Sequence, residues 1–117
     1  METKTVYMPT LENVRKAAAT LNGVAAVTPL THSLRYSKEF DANIMLKRED
    51  LQVVRSYKIR GAYNKISSLT KEEREKGIVC ASAGNHSQGV AFSCKELKIK
   101  GTCLLYTSDA ADEEDSV

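Results

Sequence analysis

The sequence predicts an α/β chain built on a parallel sheet, and three observations point there. The apolar run IVCA, residues Ile78–Ala81, has the length of a buried strand. It passes through SAGNHSQG straight into an amphipathic stretch that ends near Lys98. KIKGT then opens a second extended segment. Strand, helix and strand with short joints make a parallel crossover unit.

The remaining elements follow in order. Thr10 is placed to cap a helix over Leu11–Leu21, with Leu11, Val14, Ala18 and Leu21 as its apolar stripe and Gly23 as its stop. In VTPL, Pro29 pushes Thr28 into an extended turn. Strands are expected at His32–Tyr36 and Asn43–Lys47, joined by the polar loop SKEFDA. KREDLQVVRS has no periodicity. Ser56 reads as the N-cap of a helix to about Leu69, with Ile59, Tyr63, Ile66 and Leu69 (or Ala62) facing inward. TKEEREKG reads as a short exposed helix ended by Gly77.

Composition sets bounds without naming a function. The chain has 117 residues, 42% hydrophobic and 27% charged, with a net charge of +2, so neither nucleic acid nor a membrane surface is expected as a partner. No apolar run approaches the roughly 18 residues of a membrane span, and METKTVYMPT lacks a signal peptide's apolar core. Cys80, Cys94 and Cys103 form no CxxC pair and no zinc spacing, so no metal is expected and reduced thiols of a cytoplasmic protein are the default.

Two segments carry candidate chemistry. In SYKIRGAYNKI, Lys58 stands in the first turn of a helix, where the dipole opposes an ammonium. That field, the nearby Arg60 and burial would all favour the neutral amine, a nucleophile able to attack a carbonyl. Alone this is weak, since most lysines near a helix start are solvated. In SAGNH, residues Ser82–His86 lie between a strand and a helix N-terminus, where unpaired backbone N–H groups attract anions. Gly84 lets backbone approach a ligand, while Ser82 and Asn85 add a hydroxyl and an amide. A simple cap and turn explains the same residues.

Together, KREDLQ (47–52), SYKIRGA (56–62) and SAGNHSQGVAFS (82–93) resemble the pyridoxal-phosphate-dependent serine/threonine dehydratases, and the upstream TPL agrees. The resemblance covers residues 10 to 102. It implies the tryptophan-synthase-β-like fold (fold type II), of which this chain would hold part of a three-layer parallel sheet. It implies that Lys58 carries pyridoxal phosphate and moves protons, that Asn85 bonds the cofactor's ring hydroxyl, and that Tyr57 flanks the ring. Ser82, Ala83, Gly84 and His86 would hold the substrate carboxylate. The implied reaction is β-elimination of L-threonine, and secondarily L-serine, to a 2-oxo acid and ammonia, in a cytoplasmic, homo-oligomeric lyase of isoleucine biosynthesis. Ala83 replaces a serine that the family's racemases use as a second acid–base group, which favours a dehydratase. The family's glycine-rich phosphate cup and its Ser/Cys at the pyridine nitrogen are absent from this sequence.

Alternatives are a serine racemase or related fold-type II enzyme, and an inert α/β remnant that keeps only an anion loop. The fragment is expected to be inactive alone. Residues 1–45 are expected to start the large domain and 46–102 the small one. Residues 103–117 read as a non-native tail. CLLYTSDAADE (103–113) is a readable translation of TGT CTC TTA TAC ACA TCT GAC GCT GCC GAC GAR, which resembles a transposon-end sequencing adapter. His32 has no partner at ligand spacing. Cys80 and Cys94 read as packing residues, and Lys47–Asp50 as a charge run with a structural role.

Overall fold

The computed structural model describes residues 7–105. Helix α1 spans Leu11–Leu21, and its capping box is complete: Thr10 Oγ1 accepts the Asn13 N–H at 3.2 Å and Asn13 Oδ1 accepts the Thr10 N–H at 2.9 Å. Gly23, at φ 75°, takes the left-handed turn after it. The expected apolar stripe is not buried as a whole: Leu21 is buried, whereas Leu11 and Val14 are 64% and 59% exposed.

Strand β1 (Leu30–His32) pairs antiparallel with β2 (Met45–Lys47), Thr31 opposite Leu46. The strand expected over His32–Tyr36 is corrected here. After His32 the chain turns into helix α2 (Leu34–Glu39), which takes up half of the expected SKEFDA loop. Ser33 Oγ accepts the Tyr36 N–H at 3.4 Å, and this local cap accompanies the change from strand to helix. A 3₁₀ turn over Glu49–Leu51 follows β2.

Helix α3 spans Lys58–Ser67, ending two residues before the expected Leu69, and buries Ile59, Ala62 and Ile66, leaving Tyr63 and Leu69 half-buried. Helix α4 (Lys71–Lys76) carries a Thr70/Glu73 capping box and stops at Gly77, φ 82°. Strand β3 (Ile78–Ala81), helix α5 (Asn85–Leu97) and strand β4 (Gly101–Leu104) form the expected unit, with β3 and β4 parallel. The core lies where α3 and α5 meet β3: Ala62, Ile66, Cys80, Val90 and Cys94. Strand β3 itself is buried only at Cys80. Cys80 and Cys94 thus serve as apolar packers, with burial pushing both thiols up. Cys103 and Leu104, the start of the expected tail, complete β4 opposite Cys80 and Ala81; residues 106–117 lie outside the described residues.

Candidate active site

The lysine segment is positioned by its approach. Arg55 turns through φ 60°, a left-handed conformation uncommon for a side chain of this size, and the chain then enters α3 at Lys58. Ser56 is not the N-cap; that position is Tyr57, without a side-chain cap, because helical geometry begins one residue later than the serine needs. Ser56 is instead buried, its Oγ accepting the Lys58 N–H at 3.4 Å. Lys58 is half-buried, and its Nζ lies 5.3 Å from the Tyr57 ring centroid. Tyr57 is 61% exposed.

The second segment reaches Lys58 through Gly89. A Cβ built on Gly89 would stand 3.0 Å from both C and O of Lys58 and 3.2 Å from the Ile59 nitrogen. Helix α5 therefore crosses α3 with its backbone against the peptide unit of Lys58. Asn85 lies four residues before Gly89 on the same helix, so it shares the face that meets α3. The two motifs are thus brought to one junction.

Where the SAGNH loop leads into α5, the first turn of the helix has no side-chain cap, and Gly84 is the N-cap. The Gly84 N–H donates to Ser82 Oγ at 3.2 Å, and the Ser87 hydroxyl donates to the Gly84 carbonyl at 2.6 Å. Ser82 is half-buried, while Ala83, Gly84, Asn85 and His86 are exposed. A Cβ on Gly84 would meet nothing within 4 Å, so there is space over the loop. An anion seated there would meet first-turn N–H groups and the positive end of α5.

A third component gives the charge run at Lys47–Asp50 partners that the sequence did not reveal. Glu49, read as part of a charge run with a structural role, accepts from Arg60 Nε and Nη2, both at 2.8 Å, from the Thr28 hydroxyl at 2.5 Å, and from Gln52 Nε2 at 3.2 and 3.3 Å. Gln52, 1% exposed, bonds both the N–H and the carbonyl of Ala26 at 2.9 Å. The bond from Arg60, then those from Thr28 and Gln52, hold the Glu49 carboxyl down to about 2 against the opposing effect of burial. Arg60 is correspondingly raised. Its charge is therefore compensated by Glu49. The one sequence signal was the i, i+3 spacing of Glu49 and Gln52 beside a turn. His32, expected to be without a ligand partner, bonds Ser37 Oγ through Nε2 at 2.8 Å, away from the junction.

Residues 21–115 match the family described as pyridoxal-phosphate dependent enzyme. The chain belongs to that family. It is 55% identical over 95 residues to the biosynthetic L-threonine dehydratase IlvA of Bacillus subtilis (strain 168), covering 81% of this chain and 22% of that protein. The same-named protein of Corynebacterium glutamicum is 49% identical over 105 residues, covering 90% and 24%. The chain thus spans about a quarter of the length of these curated relatives. Among solved structures, the processed form of threonine deaminase isoform 2 from Solanum lycopersicum superposes with a TM-score of 0.72 at 35% identity, covering 89% of this chain and 30% of that one. Maize serine racemase gives a TM-score of 0.79 at 28% identity, covering 91% and 33%. The fold is the α/β architecture of the fold-type II pyridoxal-phosphate enzymes.

The residues at the junction fit part of what pyridoxal phosphate requires. Lys58 offers an amine to an aldehyde, Asn85 offers an amide in the first turn of α5, and the uncapped N–H groups beside the open space at Gly84 suit a carboxylate.

Proposed function

We propose that the protein containing this chain is a pyridoxal-phosphate-dependent L-threonine dehydratase that also takes L-serine. One observation supports it above the others: the crossing of α5 over the Lys58 peptide at Gly89, which joins a lysine to an uncapped helix N-terminus. The names of the relatives favour threonine as substrate. When bound, the cofactor supplies an electron sink for the bonds at the substrate's Cα.

The chain's own residues then divide the work. Lys58 Nζ holds the cofactor and is the base for the Cα proton. The first-turn N–H groups of α5 hold the substrate carboxylate. Ser82 helps them, because its Oγ accepts from Gly84 and so leaves its own proton to donate. Ala83, Gly84 and His86 shape the same loop, Asn85 orients the cofactor through its ring hydroxyl, and Tyr57 flanks the ring. Loss of water from threonine and its return on hydrolysis give 2-oxobutanoate and ammonia. The reading extends to residues 1–45 and 46–102 as the starts of a large and a small domain. It also includes a homo-oligomer in the cytoplasm and a role in isoleucine synthesis. No helix among the described residues is long and apolar enough to cross a membrane.

The test uses the full-length protein with L-threonine and added pyridoxal phosphate. Release of 2-oxobutanoate is expected, falling about a thousandfold in Lys58→Ala. An unchanged rate in that variant would remove Lys58 from the mechanism. The TM-score of maize serine racemase favours a second reading, a racemase, and formation of D-serine as the main product would decide for it. The adapter reading of residues 103–117 stands on the codon correspondence, while the family match runs to residue 115. Sequencing the source locus past the Thr102 codon tests it: an open frame that differs from CLLYTSDAADEEDSV supports an adapter, and the same frame refutes it.

A further inference from the structure

We propose that Glu49 is a positioning residue for Lys58, acting through Arg60. The inference rests on the reading of Lys58 as the cofactor-bearing lysine, and it narrows the structural role of the Lys47–Asp50 run to one residue, Glu49, acting through a named partner. Glu49 is a single carboxylate with three sets of partners on separate segments: Thr28 in the turn before β1, Gln52 after its own 3₁₀ turn, and Arg60 in the first turn of α3. Both carboxylate oxygens are engaged by Arg60, which fixes the guanidinium in a two-point fork. Gln52 extends the anchor to both backbone groups of Ala26, and Arg60 Nη2 reaches the Ala26 carbonyl at 3.4 Å.

The geometry converts this anchor into control of Lys58. Residues two apart on a helix point about 200° away from each other. Pinning Arg60 to the Ala26–Thr28 side therefore directs the Lys58 side of α3 the opposite way. The Lys58 backbone is packed there against Gly89, so closely that a Cβ on Gly89 would stand 3.0 Å from the Lys58 carbonyl. The first turn of α3 is held from two sides, so neither rotation nor sliding of the helix is left to vary. Without Glu49, Arg60 would lose its fork and that turn would be tethered on the Gly89 side alone.

The experiment measures cofactor attachment. Full-length protein is titrated with pyridoxal phosphate and reduced with borohydride, and the pyridoxyl label on the Lys58 peptide is quantified by mass spectrometry. The unfolding midpoint without cofactor is recorded in parallel. In Glu49→Gln the half-saturating concentration is expected to rise tenfold or more. Arg60→Lys, which keeps the charge and loses the fork, is expected to show a smaller rise, and it carries the test if Glu49→Gln does not fold. Thr28→Val removes a different donor from the same carboxylate and is expected to stay within twofold. Wild-type half-saturation in both Glu49→Gln and Arg60→Lys overturns the inference. So does an equal rise in Thr28→Val, which would mark a general loss of stability. No label at Lys58 in the wild type overturns the reading of Lys58 itself, and the inference with it.

Discussion

Glu49 shows how much a single side chain in a charge run can hold. Its neighbours in KRED differ sharply from it: Arg48 and Asp50 bond each other at 2.7 and 2.8 Å at the surface, where such a pair contributes little. Glu49 points inward to Arg60, with 15% of its side chain exposed. Its folded-state carboxyl is held at about 2, below the ordinary 4.5, so its stabilisation is complete above 4.5 and is lost as pH falls from 4.5 toward 2. Urea unfolding of full-length wild type and Glu49→Gln should differ by roughly 1.5–3 kcal/mol at pH 7, the range of a charged hydrogen bond. The gap should narrow as pH drops below 4.5. A gap that stays constant down to pH 3 would mean that the carboxylate charge is not what stabilises the fold. Lys58, Ser82 and Asn85 stood out as candidates because their motifs are contiguous. Glu49 did not, because its partner Arg60 lies eleven positions on, in another element, and no local pattern joins the two.

The α3–α5 crossing is the element-scale feature on which the site depends. Gly89 lies mid-helix, where glycine costs about 1 kcal/mol relative to alanine, so its presence needs a packing reason. The Lys58 carbonyl gives one: a Cβ at position 89 would stand 3.0 Å from its carbon and oxygen, and both atoms are backbone and have no flexible end to yield. Gly89→Ala should therefore push the helices apart despite the better helix former. The expected result is a loss of about 1–3 kcal/mol by the cost of overpacking, partly offset by propensity, together with weaker labelling of Lys58 by pyridoxal phosphate. A stabilised Gly89→Ala protein with normal labelling would show that the helices separate without cost. Elements with a strong local signature were read correctly: the Thr10 cap, the short helix stopped at Gly77, and the β3–α5–β4 unit. The failure at residues 32–36 has a physical cause. His32, Leu34 and Tyr36 alternate as in a strand, but Ser33 caps the Tyr36 N–H and closes a helical turn. Likewise the crossing at Gly89 joins residues thirty-one positions apart, and helical periodicity alone assigns no partner to a face.

At the scale of the whole chain, apolar surface decides what the isolated polypeptide does. Among the described residues, the buried apolar set is Leu21, Ile59, Ala62, Ile66, Cys80, Val90 and Cys94, two of them cysteines and one an alanine. Against this, Val27 is 98% exposed, Leu34 78%, Val79 68% and Phe40 64%. Each described sheet has two strands, so every strand presents an unpaired edge. In a protein about four times longer, such as the curated relatives, further strands and helices have room to cover these faces. The core alone offers little to offset chain entropy, which is large for a small domain. The 117-residue chain expressed by itself should therefore bind a hydrophobic dye such as ANS, unfold over a broad range, and release no 2-oxobutanoate from threonine. Circular dichroism in the far and near ultraviolet, followed through a thermal scan, checks this. Helical signal without fixed aromatic packing is the expected outcome. A sharp transition at one temperature by both probes would mean instead that the α3–β3–α5 core is enough to fold the chain. In that case the Lys58–Asn85 junction could be studied for cofactor binding in isolation.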